Sequence, residues 1–190
     1  MSLYRSIVKP AGDVAAAAVL LIILSPVFLV VSLAIWLDDR GPVFFRQQRV
    51  GADGKLFMIW KFRSMPVGTA HRASVDARDL RITRVGEVIR RLSIDELPQL
   101  LNVLRLEMSL IGPRPGLPSQ TVQIALREQN GSATLRPGLT GWAQVHSFDG
   151  MSEEQKAALD GVYFNTVSLI VDLSIVCKTI AYLLRRPPVY

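Results

Sequence analysis

"VAAAAVLLIILSPVFLVVSLAIWL", Val14 to Leu37, runs for about two dozen residues without a charge, and the way it is threaded decides the architecture. A bilayer core takes roughly 20 apolar helical residues, so the stretch is long enough to be embedded in a membrane. It does not read as a cleaved signal peptide, because the apolar core is too long and no small-residue cleavage site follows it. Ser25-Pro26 interrupts it at the middle. A proline there removes the amide that would bond the Ile22 carbonyl, so the helix kinks or breaks. Each half is then about 18 Å long at about 1.5 Å per residue, reaching about midway through a hydrocarbon core of about 30 Å. Arg5 and Lys9 precede the run, and Arg40, Arg46 and Arg49 follow it, so the positive-inside tendency holds both ends on the cytoplasmic side. A helix bent at Ser25-Pro26 that enters and leaves on one face satisfies both pulls. A kinked single span is the alternative.

Outward from this segment, the chain has 190 residues and a net charge of +6, enough for one domain with an appendage. With a pI near 9.9, it calls for an anionic partner: nucleic acid, a phosphorylated substrate or anionic lipid. Arginine far outnumbers lysine, and its planar fork binds phosphate bidentately. Cys177 is the only cysteine; it excludes an intrachain disulfide and a multi-cysteine metal site and reads by default as a small buried hydrophobe.

After a turn at Asp38–Pro42, Val43–Phe45 and Leu56–Trp60 read as short strands around Ala52-Asp53-Gly54, a hairpin. Gly51–Lys55 lacks the spacing of a phosphate-binding P-loop. Residues 66–81 are polar and read as a loop. Thr83–Leu92 and Leu97–Leu106 read as helices, the second from Leu97, Leu100, Leu101 and Leu104 on one face. "GPRPG" (112–116) holds Arg114 between two prolines, which leaves it little freedom to lose on binding. "LRPGLTGW" (135–142) is a second stiffened loop, carrying Arg136. Residues 152–164 read as helical. Asp172–Arg186 is an apolar helix with Lys178 and Arg185-Arg186 toward its end, either a membrane-interface helix or a core helix with a solvated end.

"SIDELPQ" (93–99) places two carboxylates side by side. Ser93-x-x-Glu96 matches a capping box, but Pro98 would then break an intrahelical bond at the fifth position. Proline prefers the first helical position. With a helix starting at Pro98, Asp95 and Glu96 stand just outside its N-terminus, where ionised carboxylates and phosphate oxygens are favoured. Two carboxylates close to phosphate-binding arginines also suit Mg²⁺. The residues alone leave capping and chemistry evenly matched.

The stretches "ILSPVF" (23–28), "PVFFRQQRVG" (42–51), "KFRSM" (61–65), "RLSIDELPQLLNVL" (91–104), "EMSLIGPRP" (107–115), "RPGLTGWAQV" (136–145) and "SLIVDL" (168–173) occur in order. Together they resemble the bacterial sugar transferases called monotopic phosphoglycosyl transferases. The resemblance implies an α+β, mainly helical fold. Its parts would be a re-entrant membrane helix broken at Ser25-Pro26 over residues 1–40, and a catalytic domain over 41–190 with a small hairpin and interfacial helices. It implies the small form, without the extra membrane helices of larger relatives, at the cytoplasmic face of the bacterial inner membrane. The implied reaction uses Mg²⁺, a UDP-sugar donor and polyprenyl phosphate as acceptor. Asp95 would be the nucleophile, with Glu96 its partner and both acids at the metal. For the substrate phosphates, the expected ligands are Arg114 first and Arg90 second, with functional and structural readings of Arg136 evenly matched. Membrane lipid is an expected partner, nucleic acid is not, and a homodimer is left open.

Three positions depart from the family pattern. Leu106 stands where glycine is common, a change expected to alter a helix end. His146-Ser147-Phe148 replaces a usual Asn-Gly-Arg, which keeps the donor sugar from being carried over; His146 itself reads better as structural. Thr166 replaces a common asparagine. The rival function is a membrane-anchored adaptor that binds anionic lipid or nucleic acid without catalysis. Its arginines would be expected in one stripe with stacking aromatics, whereas here they are scattered among Pro/Gly turns.

Overall fold

A computed structural model of the chain describes residues 3–67, 82–147 and 150–185. The polar segment expected over 66–81 lies outside them from 68 onward, as do Phe148 and Arg186. A π-helical turn, Tyr4–Val8, leads into α1, Lys9–Ile23; α2 follows as Ser25–Asp39. The break falls at Leu24 (φ −86°, ψ 0°). The Ser25 hydroxyl donates to the Ile22 carbonyl at 2.8 Å, the acceptor that Pro26 leaves without its helical amide. Among the described residues, one helix, Tyr4–Ile23, is long and apolar enough to cross a membrane by length and composition.

Both halves of the broken helix lie on the same body. In α1, Ala17 is fully buried against Ile59, Leu100, Val103 and Met108. In α2, Val31 and Ile35 pack with Phe62 and Ile89. Their opposite faces stay apolar and exposed, with Ile22 at 74% and Leu29 at 72%.

The hairpin is longer than its apolar residues predict. Strands β1, Phe44–Val50, and β2, Leu56–Phe62, pair antiparallel from Phe44↔Phe62 to Val50↔Leu56. The polar Arg46-Gln47-Gln48-Arg49 run is strand, because the ladder satisfies its backbone whatever its side chains are. Thr83 caps α3, Arg84–Arg91, its hydroxyl accepting from the Gly86 amide at 2.9 Å.

The helix expected over Leu97–Leu106 takes another form. Ile94–Gln99 is a 3₁₀ helix, and only α4, Leu100–Leu104, is α-helical. Pro98 lacks the amide that an α-helical bond to the Ile94 carbonyl needs, so the chain keeps tighter turns up to Leu100. Leu106 then adopts φ +59°, the left-handed region that disfavours a side chain. A glycine would sit here without strain.

A second, parallel pair is invisible in the sequence: β3, Ser109–Ile111, against β4, Gly138–Thr140. Close approach makes it possible. A Cβ on Gly112 would lie 2.3 Å from the Arg136 carbonyl, and one on Gly138 only 2.1 Å from the Gly112 amide nitrogen. The remaining α-helices among the described residues are α5, Thr121–Gln129, α6, Trp142–Val145, α7, Glu153–Thr166, and α8, Leu169–Arg185. Ser152 and Gln155 form a capping box at the start of α7. Ile111, Leu135, Tyr163 and Ile175 join this half into a third buried cluster. Cys177, expected inside, is exposed on α8, because its helix turns Asp172 and Ile175 inward.

Candidate active site

The two acids are presented by backbone strain as much as by helix geometry. Ser93 follows α3 at φ +55° and makes no side-chain cap. The capping box therefore does not form, and Asp95 and Glu96 lie inside the first turn of the 3₁₀ helix rather than ahead of a helix beginning at Pro98.

Glu96 is held by two cations. Lys61 Nζ, from β2, donates to Glu96 Oε1 at 2.6 Å, and an Arg114 Nη donates to the same oxygen at 2.9 Å. The Glu96 side chain is 13% exposed. Burial alone would raise its pKa, but the charges and hydrogen bonds of Arg114 and Lys61 outweigh it and hold the carboxyl well below the usual range. Asp95 differs. It is buried, and among the described residues its carboxylate makes no hydrogen bond. Burial raises its pKa, the neighbouring Glu96 charge adds to this, and Lys61, Arg90 and Arg114 oppose it. Adjacent carboxyls pushed in opposite directions are the usual mark of divided roles.

The frame around the acids is stiff. Asn102, fully buried on α4, accepts from the Trp60 amide at 3.1 Å and donates to the Met58 carbonyl at 2.8 Å. It thus bonds to the edge of β2 as a neighbouring strand would, and fixes Lys61 relative to the acid pair. Arg127 of α5 donates to the Arg114 carbonyl at 3.0 Å, while its Nε bonds Asp160 of α7 at 2.8 Å. On the other side Arg49 donates to the Pro115 carbonyl at 3.3 Å, and the Val50 amide bonds the Gly116 carbonyl at 3.0 Å. The Pro-Arg-Pro turn is therefore clamped from β1 and from α5, and Arg114 reaches Glu96 with little backbone freedom.

Among the expected site residues, Asp95, Glu96, Arg114 and Arg90 come together. Arg90, in the last turn of α3, acts on Asp95 through its charge. Arg136 is half-buried before β4, its carbonyl against Gly112, and is not among the charges acting on either acid. Ser25 and Pro26 form the helix break. Lys61, Arg49, Asn102 and the Arg127–Asp160 pair were not expected from the sequence. Lys61 had a legible signal, since it continues the inward-facing series Phe57, Ile59 along β2. His146 Nδ1 bonds the Trp142 carbonyl and Nε2 faces Lys178 Nζ, each at 2.8 Å.

Among the described residues no group of three or more His, Cys, Asp or Glu side chains could cage a metal alone. Asp95 has both oxygens without a hydrogen bond there, and Glu96 has its second. That donor set fits Mg²⁺, which takes one or two carboxylates and completes its shell with phosphate oxygens and water.

A protein of Komagataeibacter xylinus named undecaprenyl-phosphate glucose phosphotransferase is 43% identical over 90% of this chain, which spans 35% of that protein's length. In Caulobacter vibrioides, a UDP-glucose:undecaprenyl-phosphate glucose-1-phosphate transferase is 43% identical, over 94% of this chain and 70% of its own. The sugar transferase EpsL of Bacillus subtilis, described as uncharacterized, is 40% identical over 92% of this chain and 86% of its own. The model of the bacterial sugar transferases matches residues 4–186, and with nearly all of its length aligned, the chain belongs to that family.

Proposed function

We propose that this protein transfers a phosphosugar from a UDP-sugar to polyprenyl phosphate, through a covalent intermediate on Asp95. The carrying observation is the asymmetry of the acid pair: Glu96 is held by Lys61 and Arg114, while Asp95 makes no hydrogen bond among the described residues. An Asp95 oxygen attacks the β-phosphorus of the donor. The bond from that phosphorus to the bridging oxygen breaks, and UMP leaves with the electron pair. A phosphate oxygen of the polyprenyl phosphate then attacks the aspartyl phosphosugar, and the bond to Asp95 breaks to restore the carboxylate. Two displacements at one nucleophile give ping-pong kinetics.

Arg114 and Arg90 bind and orient the donor phosphates, and Lys61 keeps Glu96 ionised and in place. Asp95 and Glu96 would hold Mg²⁺, which when bound neutralises charge building on the phosphate oxygens. The experiment mixes the protein with UDP-sugars, polyprenyl phosphate and Mg²⁺. UMP release that depends on Asp95, with a sugar-phosphate adduct on the protein, is expected. Absence of release with every common UDP-sugar rejects the reading.

The helix break is read as a dip into one leaflet. Packing of both α1 and α2 on one body supports it, as does the Ser25 hydroxyl serving the Ile22 carbonyl where the bilayer offers no water. The exposed Ile170, Leu173 and Ile180 of α8, opposite buried Asp172 and Ile175, suit a helix lying in the interface. An active site at the cytoplasmic face then meets a soluble donor and a lipid phosphate without moving a charge through hydrocarbon. Cysteines placed at positions 2 and 40, with Cys177 replaced, are expected to label from the same side; opposite sides would restore a single span.

A further inference from the structure

The outer face of the hairpin, turned away from Lys61, carries a charge cluster that the reaction does not use. Trp60 lies there with two arginines from different elements converging on its ring. The Arg46 guanidinium, from β1, is 4.0 Å from the ring centroid, and that of Arg105, just past α4, is 5.6 Å away. Both arginines are exposed, and among the described residues neither forms an ion pair. The indole face attracts each cation, but no acid among the described residues pairs with either. An anion bridging them would.

The surroundings are apolar. Phe44, Leu56, Met58 and Leu106 are between 37% and 54% exposed. Phe44 stacks on Phe62 at 5.4 Å between centroids, and Phe62 meets Phe28 of α2 at 5.1 Å. These ring contacts tie the exposed Phe44 through buried Phe62 to α2 of the broken helix. Arginine matches phosphate oxygens bidentately, and tryptophan favours the depth where headgroups meet acyl chains.

We infer that the Arg46–Trp60–Arg105 cluster seats the phosphate headgroup of an anionic phospholipid, whose acyl chains run past Phe44. This fixes the rotation of the body on the membrane by a contact separate from the acid pair. It rests on the reading of α1 and α2 as membrane-embedded, and its test separates the two.

The full chain is placed in phosphatidylcholine nanodiscs containing brominated phosphatidylglycerol or, at the same fraction, brominated phosphatidylcholine. Bromine quenches nearby tryptophan. Subtracting Trp60→Phe and Trp36→Phe from the unaltered protein isolates each residue's share. Trp60 is expected to be quenched at least twofold more by the anionic lipid, Trp36 equally by both, and Arg46→Gln/Arg105→Gln to abolish the preference. Equal quenching of Trp60 by the two lipids overturns the inference on the unaltered sequence alone. So does a preference that survives the double substitution, or one removed by millimolar free phosphate, which would mark a soluble-anion site. Trp36 left unquenched by either lipid overturns the membrane reading, and this inference with it.

Discussion

Lys61 Nζ lies 2.6 Å from Glu96 Oε1, joining the end of a hairpin strand to the second residue of the acid pair. Neither side chain is more than 19% exposed, so loss of one partner leaves the other's charge poorly solvated. Lys61→Met is expected to destabilise the fold by about 3 kcal/mol, with a double-mutant cycle against Glu96→Gln returning a coupling of about 1–3 kcal/mol. Additive losses in denaturant melts would show the pair to be incidental.

Asp95→Asn separates function from stability. Turnover and the protein-bound adduct are expected to vanish together. Because the folded-state pKa of Asp95 is raised, chiefly by burial, its stability contribution is present below the ordinary aspartate pKa and lost as pH rises through the higher folded value. At neutral pH the ionised acid opposes folding, so Asp95→Asn should melt higher than the unaltered protein, and the gap should close in acid. A lower melting temperature at neutral pH contradicts that sign.

With Asp95 as the proposed nucleophile, activity is expected to need its ionised form, so the acid limb of kcat/KM should fall above the usual carboxylate range. Lys61 is the largest influence opposing that rise, and Lys61→Met is expected to move the limb further up. A limb that stays fixed in the variant would place the titrating group elsewhere.

Asn102 bonds two backbone groups of β2 from a fully buried position. Asn102→Leu leaves both unsatisfied and is expected to cost about 2–5 kcal/mol. It should also lower kcat more than it raises KM, since it misplaces Lys61 and the acid pair. Equal stability would mean that water replaces the amide.

Leu106→Gly should stabilise. Its φ of +59° burdens a branched side chain by about 1–2 kcal/mol, partly offset by about 1 kcal/mol of glycine's greater freedom in the unfolded chain. A net gain of up to about 1 kcal/mol in urea melts, with unchanged activity, is expected.

The sequence by itself determined the apolar run and its break, because a proline removes an amide wherever the chain goes. It also marked the acid pair and the stiff Pro-Arg-Pro turn, since adjacent charges and paired prolines are local facts. Their partners were decided only by the tertiary structure. Lys61 and Glu96 are 35 positions apart, and they meet because Asn102 docks the acid-bearing segment on β2. The parallel pair of β3 and β4 depends on glycines that let backbones touch across the chain. The opposite shifts of Asp95 and Glu96 have the same origin. Two neighbouring carboxyls with nearly equal intrinsic acidity are distinguished only by burial and by which cations the fold brings to each.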